Sequence, residues 1–380
     1  MTIRPRLLLS FAASAALLPV AARAQGTLST QGFGYPSGTL SSRALGAGGA
    51  IGEIDPLSSA NPAALISFGG SALYFQAEPE SRTLHFGNAT ETARIARYPL
   101  IAAAIPVTDG IMLGLTVSNF LDRSFETTSR RSQVVGDSTV SSTTAFKSDG
   151  AIANLRLGLA WAPQSWLRVG AGVHAITGDN RVRNAQIFDD TLRFSSLVDT
   201  STVGYAGSAV SAGFEAIVGR AWSVAGSYRR GGSLSLRRAD TTISRANVPD
   251  RLGMSVAFLG IRGSSIAVRT SRDTWSRMAG LGSAGLRITD SWDTSVGADM
   301  LGPRIGARAV QMRLGARWRT LPFGTATSSV SEKSYSVGAG TSFARGRASL
   351  DFAAIRATRD ADAGLSETAN TLSFGITVRP

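Results

Sequence analysis

The 380-residue chain has a formal charge of +13, no cysteine and two histidines, with 43% hydrophobic but only 17% charged residues. The absence of cysteine excludes a disulfide framework, a zinc-thiolate site and a thiol nucleophile, and two histidines cannot build a His-rich metal site; no cofactor is expected. The positive charge is nearly all arginine, with Lys147 and Lys333 the only lysines, and it is scattered without a basic helix or nucleic-acid motif, so no nucleic-acid partner is expected.

In chain order, residues 1–24 read as a cleaved signal peptide. Arg4 and Arg6 begin it, Leu7 to Val20 is apolar, and Ala22-Arg23-Ala24 offers the small-x-small site that a signal peptidase reads. Its apolar run is too short to span a bilayer as a helix. Removing its three arginines lowers the charge of the mature chain to +10. The longest later apolar stretch, Pro99 to Val107, is also far short of a helical span.

Residues 25–69 are rich in Gly, Ala, Ser and Pro and show no sustained alternation. From Ser71 onward the pattern has period two, the strand signature. In Val310 to Arg319 the even positions are Val310, Met312, Leu314, Ala316 and Trp318, against Gln311, Arg313, Gly315, Arg317 and Arg319. Successive strand side chains point to opposite faces, so one face is greasy and the other polar or tiny.

About fourteen such segments are expected: 71–80, 98–107, 111–122, 150–162, 166–177, 205–218, 222–235, 250–259, 263–274, 285–300, 309–319, 333–344, 347–359 and 369–379. The region 275–300 reads either as one strand or as a hairpin turning at Asp290-Ser291. A soluble sandwich also alternates. Segments of about ten residues, tight turns alternating with long polar stretches (123–149 and 178–204) and aromatics near segment ends favour a membrane barrel. Those aromatics are Trp161, Trp166, Tyr205, Trp222, Trp292, Trp318 and Tyr335. The expected fold class is all-β: a transmembrane antiparallel β-barrel over residues 70–380, exported to the outer membrane and in contact with its lipid.

The segment before the barrel combines a Gly- and Ala-rich stretch, Asp55 and the triplet Asn61-Pro62-Ala63 just ahead of the first strand. In this it resembles the FadL/TodX family, outer-membrane proteins that carry hydrophobic compounds. The resemblance implies that residues 25–69 form a hatch or plug inside the lumen, with Asn61, Pro62 and Ala63 as its motif. It further implies a monomer, inserted by the barrel assembly machinery, that takes up a hydrophobic small-molecule ligand passively. A shuttle for a secretion system shares that layout, and a general porin is a further alternative. The chain departs from many such barrels by ending Val378-Arg379-Pro380 rather than on an aromatic residue.

An enzyme is not expected, because His174 lies on a polar strand face with no nucleophile motif. Taking greasy faces as lipid-facing sends Arg156, Arg168, His174, Glu215, Arg229, Arg269, Asp293, Asp299, Arg313, Arg317 and Arg379 inward. Arg313, Arg317, Arg156 and Arg168 are the candidate lumen contacts for an anionic head group, since guanidinium pairs with carboxylate bidentately. An internal salt-bridge network is the competing reading of the same residues. Phe120, Phe125, Ile187, Phe188, Phe194 and Leu197 either form a greasy outer capture surface or pack the loops together.

Overall fold

A computed structural model describes residues 33–380, except 87–88, 136–137, 191–192, 282–286, 307, 325–328 and 362–364. The expected signal peptide, 1–24, lies outside the described residues. The strands are β1 (Ala72–Phe86), β2 (Ala89–Thr108), β3 (Ile111–Asp122), β4 (Phe125–Val135), β5 (Ser138–Gln164) and β6 (Leu167–Phe188). They continue as β7 (Leu197–Val218), β8 (Trp222–Arg238), β9 (Thr241–Asn247), β10 (Arg251–Ile261), β11 (Ser264–Asp273) and β12 (Arg287–Ile288). The last are β13 (Ser291–Ile305), β14 (Arg308–Gly324), β15 (Ser329–Phe343), β16 (Ala348–Asp360) and β17 (Leu365–Val378).

Fourteen of them form one antiparallel ring, and the ring closes where β17 pairs with β1, from Leu73 opposite Val378 to Phe86 opposite Leu365. Closure leaves no strand edge to satisfy in lipid. The other three are side arms: β4 on β5, β9 on β8 and β12 on β14. Thirteen of the fourteen expected segments fall on ring strands, and the other, 285–300, supplies one from Ser291 onward.

The alternation maps directly onto the wall. In β10, Arg251, Gly253, Ser255 and Ala257 are buried inside, while Leu252, Met254 and Val256 are exposed outside. Leu73, Phe75, Leu157, Leu159, Val173 and Val210 extend this outer apolar band. Such a surface suits lipid and would be an aggregation liability in water. Trp161, Trp166 and Trp222 are exposed beside the tight turns, and Trp292, Trp318 and Tyr335 lie toward the other end. Tyr205 departs from this pattern: it is buried inside, where Arg123 donates to its hydroxyl at 2.7 Å.

Two expectations need correction. The stretches 123–149 and 178–204 were expected as long loops, and instead the sheet continues through much of them as β4 and the outer ends of β5, β6 and β7. Thr-rich sequence such as Thr143-Thr144 favours strands. Outside the membrane neither face must be apolar, so these extensions lack the hydrophobic alternation by which strands are recognised. Region 275–300 is neither one strand nor a hairpin at Asp290-Ser291: a 3-10 helix (Trp275–Leu281) and short β12 precede a single barrel strand, β13. The ring count therefore stays even.

Residues 33–69 run inside the ring. Helix α1 (Ser42–Gly46) is capped by Ser41, whose hydroxyl accepts from the Ala44 amide. A 3-10 helix (Pro62–Phe68) follows, with Asn61 as its cap and Gly69 ending it at φ +66°. Wall glycines bring this segment close. A Cβ on Gly315 would lie 2.3 Å from the Ala47 carbonyl carbon, and one on Gly297 2.1 Å from the Ala47 oxygen.

Backbone meets backbone at that point, so no side chain can swing aside. Gly315→Ala is expected to cost about 1–3 kcal/mol and to lower the temperature at which the folded band disappears in semi-native electrophoresis. Gly70→Ala, with nothing within 4 Å of the added carbon, should leave that temperature unchanged.

Candidate functional site in the barrel lumen

The lumen is built in levels. Toward the long-loop end the inward side chains turn apolar: Leu121, Ile152, Ile176, Leu234, Val248 and Phe323 are all buried in one cluster. The 3-10 helix Trp275–Leu281 covers it with Trp275 and Met278, and Trp275 stacks on Phe120 at 5.1 Å and meets Phe33 edge-on at 6.0 Å. Phe120 therefore belongs to the lumen interior, not to an outer capture surface. Phe125 pairs with Phe146, Phe188 pairs with Phe194, and Ile187 and Leu197 are exposed.

Below lies an ionic level with two centres. The first surrounds Tyr35. The guanidinium carbons of Arg82, Arg97, Arg319 and Arg359 stand 4.6–5.2 Å from its ring centre. Its hydroxyl accepts from Arg359 (2.9 Å) and Arg319, and donates to Glu332 (3.0 Å). Four acids balance the four cations. Glu80 pairs with Arg82 and Arg97, Asp122 with Arg97, Glu332 with Arg319 and Arg359, and Glu367 with Arg359. Strands β1 and β17 both contribute, so this centre straddles the seam where the ring closes.

The second centre is Glu53, on the inner segment. It accepts from Ser227 at 2.7 Å, from Arg251 and, at 3.3 Å, from Arg269. Burial alone would raise the Glu53 carboxyl, but the Arg251 and Arg269 charges outweigh it and hold the group below the usual carboxylate range. A Cβ on Gly253 would lie 2.3 Å from the Glu53 carboxylate, so the wall is hollowed to receive it. A void of about 130 Å³ adjoins both centres.

The motif expected in the hatch sits below. Asn61, Pro62 and Ala63 are buried. Asn61 accepts from the Ala63 amide (3.0 Å) and donates to the Glu53 carbonyl (2.9 Å) and the Phe214 carbonyl of β7 (3.0 Å). One side chain thus caps a helix, ties the segment to itself and ties it to the wall. Gly213 and Gly170 leave the room: Cβ atoms there would meet Asn61 Oδ1 at 2.0 Å and the Ala63 amide at 2.5 Å.

All four candidate arginines turn inward, and each is engaged. Arg313 pairs with Asp299 (3.2 Å) and Asp351 (2.6 Å), Arg317 with Asp293 (2.7 Å), and Arg168 with Glu215 (2.8 Å) and Ser67 (2.9 Å). An arriving anion would have to displace a carboxylate at these three, which favours the internal-network reading. Arg156 donates to the Ser59 carbonyl (3.0 Å) and Thr116 (3.3 Å), with no ion-pair partner among the described residues.

His174 bonds Ser211 through Nε2 and Asn154 through Nδ1, both at 2.9 Å, the order of a Ser–His–Asn relay. The space beside it is about 20 Å³, room for a water and not for an ester. It reads as a packed polar network.

Sequence reasoning missed Tyr35, Glu53 and most of the seam acids. The signal for Glu80 and Arg82 was present, because polar even positions continue past residue 80 through Arg82 in β1.

No protein-family model and no curated protein sequence matches the chain. Solved structures do. A Pseudomonas aeruginosa FadL homologue aligns with a TM-score of 0.61 at 14% identity, over 91% of this chain and 99% of that one. The P. putida toluene transporter TodX gives 0.55 at 11% identity, over 90% and 98%. The CymD monoaromatic hydrocarbon channel gives 0.54 at 14% identity, over 90% and 97%.

The chain has the FadL/TodX barrel fold. Within that fold the ionic level couples inner segment and wall, and Glu53 is the most direct test of the coupling. Glu53→Gln would leave Arg251 and Arg269 facing a neutral amide, a loss of about 3–5 kcal/mol for a broken buried pair. The variant should expose residues 33–69 to added protease while the strands stay protected. Because the folded Glu53 value is lowered, its stabilisation is fully present above the unfolded carboxylate value and is lost as pH falls through the folded one. The advantage of the natural chain over the variant should hold from neutral pH to about 5 and fade below about 4.

Proposed function

We propose that the protein is an outer-membrane channel for passive uptake of hydrophobic or amphipathic small molecules, fatty-acid-like in character, through a plugged barrel. The observation that carries this reading is the apolar level of the lumen under the Trp275–Leu281 helix. A water-filled pore is lined with polar groups, whereas an enclosed apolar lining suits a ligand that leaves water. The fold likeness to barrels described as toluene and monoaromatic hydrocarbon channels supports the reading.

In this reading residues 25–69 are the hatch, exported behind a cleaved signal peptide at 1–24. Transport requires movement of the hatch or a gap in the wall, since the ionic level lies across the direct path. The protein acts as a monomer after insertion by the barrel assembly machinery. The general-porin alternative is disfavoured by an inner segment that fills the lumen to backbone contact.

The test pairs uptake with conductance. Cells that lack their own hydrophobe channels should take up labelled toluene or oleate faster when they express the chain, while the purified barrel stays near-silent in a planar bilayer. Steady ion conductance without hydrophobe uptake would point to a porin and overturn the proposal.

A further inference from the structure

The tight-turn end of the barrel, periplasmic by the usual arrangement of short turns, carries an uneven charge. Arg220, Arg262, Arg304, Arg308, Arg345 and Arg347 are exposed there, while Asp109 is the one acid on these turns among the described residues. The arginines follow one continuous arc, from the β7–β8 turn to the β15–β16 turn. The β2–β3 turn holds Asp109, and the β5–β6 turn (163–165) carries no charge.

Within that arc, between wall and inner segment, opens a cavity of about 990 Å³. This is the size of a small-molecule site. Its two acids are already engaged: Asp299 accepts from Arg43 and Arg313, and Asp351 from Arg313. Arg308, Arg345 and Arg379 also line it and have no ion-pair partner among the described residues. The Arg379 guanidinium donates to the Gly346 carbonyl at 3.3 Å. Across from them are Leu57 of the inner segment and Leu259 and Ile261 at the end of β10. Leu259 and Ile261 are 42% and 49% exposed where a register shift ends the regular alternation of β10. Arg345 is held in the left-handed region at φ +57°, a conformation that favours glycine.

We propose that this vestibule binds an anionic amphiphile, its carboxylate or phosphate held by Arg308, Arg345 and Arg379 and its chain laid against Leu57, Leu259 and Ile261. Guanidinium groups pair with either head group. Such a ligand has two sources: a transported solute leaving the lumen, or an anionic phospholipid of the adjacent leaflet. The first source rests on the uptake reading; the second does not.

Native mass spectrometry of the full mature protein in detergent tests it, with oleate, oleyl alcohol, dioleoyl-phosphatidylglycerol and dioleoyl-phosphatidylethanolamine as probes. The anionic member of at least one pair should bind in preference to its neutral counterpart. Preference for oleate alone assigns the site to solute, preference for phosphatidylglycerol alone to leaflet lipid, and both support the proposal. A triple variant, Arg308→Ala, Arg345→Gly and Arg379→Ala, should weaken that binding at least about tenfold. Arg345→Gly relieves the left-handed backbone, so poor folding will not mimic the loss. Arg220→Ala, on the rim but outside the cavity, should bind as the natural chain does. Equal binding of anionic and neutral probes, or an unchanged triple variant, overturns the proposal. Loss of binding in Arg220→Ala equal to that in the triple variant also overturns it, because the rim and not the cavity would then be the binder. Toluene uptake by the natural chain is measured separately, so failure of the channel reading and failure of the vestibule are told apart.

Discussion

The architecture depends on a buried ionic level that joins three things at once: the closing seam of the ring, the wall around it and the segment inside it. Arg82 and Arg359 are each 1% exposed, far from water that could compensate their charge. A buried guanidinium without partners is costly, and removing one partner of a buried pair is more damaging than the pair is stabilising. Geometry therefore does the holding. Glu80 and Glu367 of the two seam strands and Glu332 of β15 converge on Arg359, and Tyr35 of the inner segment stands in their midst. Arginine suits this role better than lysine, because its planar fork can bond carboxylates in plane while stacking on an aromatic face.

The inner segment is also held by the absence of side chains. Gly213, Gly297 and Gly315 let its backbone, and the Asn61 side chain, reach the wall at distances that a Cβ would forbid. The ionic contacts fix the position of the segment around the ring, and the glycine contacts fix how near it lies. Above both lies the apolar level, and below them the vestibule, whose two acids, Asp299 and Asp351, are engaged while Arg308, Arg345 and Arg379 have no ion-pair partner among the described residues. A ligand passing through would meet apolar, ionic and basic surroundings in turn.

Much of the wall was legible in the sequence, because lipid on one side and polar lumen on the other impose strict alternation. Every ring strand carries it, and the odd inward positions of β16 and β17 read directly as Asp351 and Arg359, Glu367 and Ser373. Alternation stops being informative where its cause stops. Outside the membrane both faces meet water, and the outer ends of β5, β6 and β7 passed for loops. Inward direction is likewise readable, whereas partnership is not. Arg313 faces inward by parity alone, but Asp351, 38 residues on, becomes its partner only once β14, β15 and β16 are in register. Glu53 has no periodicity to mark it, and only the convergence of β8, β10 and β11 on that point makes it central. Phe120 was misplaced because the end of β3 lies deeper than the membrane-exit position assumed for it, under the Trp275 cover.

The inner segment rests docked against the wall in the membrane itself. The chain has no cysteine, so a pair can be introduced without interference. Ser42 of α1 and Ser373 of β17 face each other with hydroxyl oxygens 2.7 Å apart. A Ser42→Cys, Ser373→Cys variant, oxidised in intact membranes and read by electrophoretic mobility with and without reductant, tests the contact directly. Near-complete disulfide formation in the folded barrel is the expected result. Persistence of two free thiols in a folded, membrane-inserted barrel would contradict it.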